Sequence, residues 1–138
     1  MVNIKYDFAS LKIMTLFERI TRARIKDVII EDAMMYFVVQ PGEMAKAIGK
    51  QGANIKKLQT KFQKKIRIVE YNILPELFLV NLIKPLKVEN SMLEGKKIVL
   101  ISAETSTKGK IIGRNRSNLN KYLKIVKRYF DIDGIDVK

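Results

Sequence analysis

The amino-acid sequence predicts an α+β protein made of two tandem modules, and three observations carry that prediction. The chain repeats itself: a shift of 64 residues pairs Ile48 with Ile112, Gly49 with Gly113, Lys50 with Arg114, Gln51 with Asn115, Asn54 with Asn118, Ile55 with Leu119 and Lys57 with Lys121. A repeat of that length points to a duplicated unit. Both halves also show the same order of hydrophobic patterns, helix, strand, strand, helix, glycine loop, helix, strand. Finally, 138 residues with 47% apolar content can bury one modest core or two very small ones.

The elements follow in order. Residues 8–21 place Ile13, Leu16, Phe17 and Ile20 on one helical stripe, with Asp7 available as N-cap. Residues 25–30 and 34–39 are β-branched and aromatic runs separated by a short polar break, which reads as a hairpin. Pro41 and Gly42 end the second strand, and residues 43–49 form a short helix. Beyond the glycines, residues 53–65 carry Ile55, Leu58 and Phe62 at helical spacing and lead into a strand at 66–71. In the second half, residues 75–83 form a helix stopped by Pro85. Residues 86–90 and 97–103 are expected as strands around a turn near Glu94 and Gly95, followed by a short helix at 107–113. The stripe Leu119, Tyr122, Leu123, Val126 and Phe130 marks a helix at 117–130, and residues 132–137 close the second sheet. The expected modules are residues 1–72 and 73–138, divided at the signal Leu74-Pro75.

Composition removes most catalytic chemistry. Without cysteine or histidine the chain has no disulfide, thiolate zinc site or imidazole base. A Walker phosphate loop is absent, since Gly49-Lys50 is followed by Gln51 and position 44 is Met. Asp131, Asp133 and Asp136 alternate after a helix and read as an exposed strand face, not a magnesium site. The chain is therefore expected to be no enzyme, with no catalytic residue, metal or cofactor. The most apolar stretch, residues 74–83, is half the length that crosses a bilayer and contains Glu76 and Asn81, so a cytoplasmic protein without a membrane partner is expected.

Charge points to the partner. The formal net charge is +13, from 27 Lys and Arg against 14 Asp and Glu. Residues 44–69 hold eight basic side chains and no acid, and residues 105–130 hold eight more, again with no acid. A surface tuned for solubility intersperses both signs, so this segregation indicates a polyanionic ligand.

The element order, with Ile48-Gly49-Lys50-Gln51-Gly52-Ala53-Asn54-Ile55 between the last two helices of the first half, resembles the K homology (KH) domain in its type II arrangement. Two such modules in a short chain are similar to the RNA-binding core of NusA-family transcription factors in their archaeal form. That resemblance implies two tandem type II KH domains, each a three-stranded sheet covered by helices on one face. It also implies single-stranded RNA as ligand and a role in transcription elongation, pausing or termination, with RNA polymerase or the ribosome as protein-level partner. The alternative function is a ribosome-associated or ribosome-assembly KH protein.

Glycine lets a backbone approach a ligand closely and adopt dihedrals barred to other residues, and the helix that follows offers N–H groups and a positive dipole end. By the resemblance, Gly49 to Gly52 meet the phosphodiester backbone, with Lys50 and Gln51 on the loop. Ile48, Ala53, Ile55 and Ile68 line an apolar groove, Asn54 belongs to the same motif, and Lys56 and Lys57 steer the strand. The residues alone leave other readings open: Gly49 as a helix C-cap, Ile48, Ile55 and Ile68 as core, and Lys56, Lys57 and Lys61 as a solvated face. The second loop is Gly113-Arg114-Asn115-Arg116. Arg116 stands where a second glycine belongs; its Cβ crowds a close-approaching backbone and disfavours positive φ, so this site is expected not to grip phosphate by the geometry of the first loop, while Arg114 and Arg116 pair phosphates through their side chains.

Overall fold

A computed structural model describes residues 6–138. The first five residues of the expected first module lie outside the described residues. The chain divides into two compact units, one ending at Tyr71 and the other spanning Asn72–Lys138.

The first unit contains α1 (Phe8–Thr21), β1 (Ile25–Ile30), β2 (Met34–Val39), α2 (Met44–Ile48), α3 (Ala53–Phe62) and β3 (Lys65–Glu70). Asp7 caps α1 as expected, its Oδ1 accepting the Ser10 N–H at 2.7 Å. The helix ends where Arg22 turns left-handed at φ 62° and its N–H returns to the Glu18 carbonyl. β1 and β2 pair antiparallel, and β3 joins β2 in parallel. This register sets Val28 opposite Phe37, Met35 beside Ile66 and Phe37 beside Ile68. Because side chains alternate along a strand, these residues share the face on which the helices pack. They form a core with Phe17, Ala47 and Leu58, against which Ile13, Ile20, Ile55 and Phe62 lie half-buried. Phe17 and Phe37 stack with ring centroids 4.5 Å apart, and Phe62 lies 5.8 Å from Phe37. The alternating residues Tyr36, Val38 and Val69, on the other face, are buried too.

The second unit contains α4 (Pro75–Ile83), β4 (Asn90–Glu94), β5 (Lys97–Ile101), α5 (Thr105–Ile112), α6 (Ser117–Tyr129) and β6 (Gly134–Val137). Its sheet has the same order and sense, β4 antiparallel to β5 and β5 parallel to β6. From α6, Leu119, Ile125, Val126 and Tyr129 are buried, and Tyr129 meets Phe78 of α4 edge-on at 5.4 Å. The strand expected at 86–90 is displaced to 90–94. Glu94 pairs with Lys97 across a two-residue turn at Gly95 and Lys96, with Gly95 at φ 60°. That tight turn fixes the hairpin register and draws its strand from the residues next to it, overriding the apolar alternation of Leu86 and Val88.

Phe37 is fully buried at the crossing of both strand pairs and both aromatic contacts. Phe37→Ala is expected to cost about 3–5 kcal/mol, measurable as a shift of the urea midpoint.

Candidate functional site

The chain between α2 and α3 makes a single tight turn. Gly49 has φ 78° and ψ 167°, a region essentially reserved for glycine. Gln51 and Gly52 then lie in the left-handed region at φ 56°, ψ 30° and φ 73°, ψ 19°, and Ala53 returns to the right-handed helix. The turn closes with the Gly52 N–H donating to the Gly49 carbonyl at 3.1 Å. Lys50 and Gln51 are exposed, and no side chain caps the first turn of α3.

Asn54 locks this arrangement. Its Nδ2 donates to the Lys46 carbonyl at 2.8 Å, satisfying an acceptor in the last turn of α2 and clipping the end of one helix to the start of the next. The carboxamide passes directly over Gly49: a Cβ on that glycine would stand 2.9 Å from Asn54 Cγ, Nδ2 and backbone N. Gly49 is therefore required twice, by its dihedrals and by the side chain that crosses it. Gly52 differs, because a Cβ there meets nothing within 4 Å.

The second loop repeats these features. Gly113 has φ 74° and ψ 172°, Asn115 φ 54° and ψ 34°, and Arg116 φ 63° and ψ 22°. Asn118 Nδ2 donates to the Lys110 carbonyl at 2.9 Å, and a Cβ on Gly113 would stand 2.8 Å from Asn118 Cγ. Arg116 thus adopts the positive φ that its Cβ was expected to disfavour, and the backbone follows the same course as in the first loop. The last position needs only the left-handed helical region, which a non-glycine residue enters at a cost of about 1 kcal/mol. The first position needs the glycine-only region, and glycine is present there in both loops.

Residues 48–57 thus form one continuous feature of the first unit. Ile48, Gly49, Gly52 and Asn54 are half-buried, while Lys50, Gln51, Ala53, Lys56 and Lys57 are exposed. Ile55 and Ile68 pack against the core and keep part of their surface in solvent. In the second unit Gly113 is half-buried and Arg114, Asn115 and Arg116 are exposed. Tyr129 is buried and Tyr122 half-buried on the core stripe of α6. Lys64, counted in the basic run, donates from Nζ to the Glu31 carbonyl at 2.7 Å.

Two features escaped the sequence reading. The clip role of Asn54 and Asn118 was visible only as a pair in the repeat. Glu43, just before α2, is buried, and its Oε1 accepts the Arg24 N–H at 2.8 Å while Lys46 lies 3.7 Å from Oε2. The backbone hydrogen bond from Arg24, helped by the charges of Lys46 and Arg24 against the cost of burial, holds this carboxyl below its usual range. Nothing local in the sequence joins residues 24 and 43. Asp131 and Asp136 pair with Lys96 and Lys97 at 3.1 and 4.0 Å. Among the described residues no group of acids is placed to hold a metal ion, and no helix is long and apolar enough to cross a membrane.

A family model described as the KH domain matches residues 13–93. The chain is 33% identical over 124 residues to a probable transcription termination protein NusA of Methanocaldococcus jannaschii, covering 88% of this chain and 68% of that one. A protein of the same description from Halococcus morrhuae is 30% identical over 130 residues, covering 93% and 94% of the two chains. The crystal structure of APE1850 superposes with a TM-score of 0.77 at 24% identity, over 96% of this chain and 100% of the other, a likeness of fold.

The two glycines of the first loop should respond differently to a methyl group. Gly49→Ala forces Asn54 to move and places alanine in a glycine-only region, whereas Gly52→Ala incurs only the left-handed cost of about 1 kcal/mol. Urea unfolding should show Gly49→Ala to be the more damaging.

Proposed function

The chain belongs to the KH domain family, and from that premise we propose that it binds single-stranded RNA through two tandem type II KH domains and acts in transcription elongation, pausing or termination. The boundary is proposed between residues 72 and 73. The observation that carries this reading is the pair of glycine-led loops, each held by an asparagine clip and each set before a helix in a run of basic residues. Such a turn leaves its leading glycine without a side chain, next to a helix N-terminus, and a phosphodiester fits that feature. KH loops of this kind clamp about four nucleotides.

In the first domain, Gly49 to Gly52 take the backbone, Lys50 supplies the nearest charge, and Gln51 stands beside it on the exposed turn. Ile48, Ala53, Ile55 and Ile68 offer apolar surface to the bases. Asn54 holds the loop in shape, and Lys56 and Lys57 steer the strand beyond it. In the second domain Gly113 leads an equivalent turn, on which Arg114, Asn115 and Arg116 add hydrogen-bonding side chains, including a guanidinium at the position that is bare in the first. The relatives described as probable transcription termination proteins NusA support the placement in transcription, with RNA polymerase or the ribosome as the proposed protein partner.

The test places a negative charge on the open position of the first loop. Gly52 lies in the left-handed region that Asp tolerates, with space around it, so Gly52→Asp should leave circular dichroism unchanged. Its affinity for single-stranded RNA should fall at least about tenfold. Undiminished affinity would remove the first loop from the interface.

A further inference from the structure

The outer face of α3 carries charge beyond what the loop uses. Ile55, Leu58 and Phe62 turn inward onto the core, and helical spacing leaves Ala53, Lys56, Lys57, Thr60 and Lys61 outward. All five are exposed. Lys56, Lys57, Thr60 and Lys61 surround a depression of about 450 Å³, completed by half-buried Ile20 of α1. No carboxylate lines it, and ion pairs elsewhere engage Arg24, Lys46, Lys96 and Lys97 instead. The lysine stems can lie along Ile20 with their ammonium groups in water.

This surface is continuous with the loop. Ala53 follows Gly52 directly, and Lys57 and Lys61 stand four and eight residues further along the same stripe. At 1.5 Å per residue, Lys61 lies about 12 Å along the helix from Ala53. We propose that the outer face of α3, with Ile20, is a second RNA-contact surface, on which the strand leaving the first loop lays its phosphates against Lys57 and Lys61 and its sugars against Ile20. The proposal rests on the RNA reading of that loop. An acidic polypeptide could meet the same charges, but continuity with the loop favours the strand already held there.

The test compares the whole chain with its Lys57→Gln, Lys61→Gln variant on oligouridylates of about twelve and about four nucleotides. Each contact to a single strand adds about 0.7 to the slope of log affinity against log salt, so removing two should lower the slope for the longer RNA by about 1.4. Affinity for it should fall roughly tenfold at about 0.15 M salt. Binding of the shorter RNA, which the loop and Lys57 hold without Lys61, should lose no more than one contact, about 0.7 of slope. Unaltered affinity and slope for the longer RNA, with Gly52→Asp still impairing both lengths, would overturn this surface and leave the loop reading intact. If Gly52→Asp impairs neither length, the loop reading fails and the proposal with it. Binding of poly-glutamate that the double variant abolishes, with RNA binding untouched, would assign the surface to an acidic protein instead.

Discussion

The candidate site depends on one crossing of chain over chain. Asn54 reaches back across Gly49 to the Lys46 carbonyl, so two short helices are joined at a fixed angle by a turn whose crossing point has no side chain. A hydrogen bond of this kind contributes only about 1 kcal/mol net, yet it satisfies a helix-end acceptor and holds in place a dihedral open only to glycine. Asn118 does the same over Gly113. A chain that keeps this lock in both halves, while exchanging Gly52 for Arg116, shows which position the geometry requires and which is free to vary.

The core explains why the site faces outward. Leu58 is buried and Ile55 and Phe62 are half-buried against the cluster that includes Phe17 and Phe37, which fixes the rotation of α3 and sends its lysines to solvent. At the other end of the turn, Glu43 anchors the start of α2 by accepting the Arg24 N–H, tying the helix to the residue that precedes β1. The concentration of positive charge is thus a consequence of how α3 is seated on the sheet. Lys64 shows that not every basic residue in the run is free for a ligand, since its ammonium is bonded to the Glu31 carbonyl.

Much of the fold was legible because its signals are local. Asp7 begins α1, Pro75 begins α4, and the β-branched runs at 25–30 and 34–39 are the observed strands. β4 was misplaced because Leu86 and Val88 imitate a strand while the hairpin turn, a stronger local constraint, selects Asn90–Glu94. The loop was legible as a pattern but not as a geometry. Gly49 and Gly52 look equivalent in the sequence, whereas one is demanded by dihedrals and by the asparagine above it and the other occupies open space. For the same reason Arg116 looked disruptive until its backbone angles placed it beside Gly52 in the left-handed region. The contact of Glu43 with Arg24 spans 19 residues and left no mark in either segment.

The central claim is that RNA meets the main chain of these turns. Amide chemical-shift mapping of the chain with a short oligouridylate tests it most directly, because it reports on the backbone N–H groups themselves. The account requires the largest changes within residues 49–54, with a second set at 113–118. Binding that shifts amides elsewhere and leaves both turns unperturbed would contradict it.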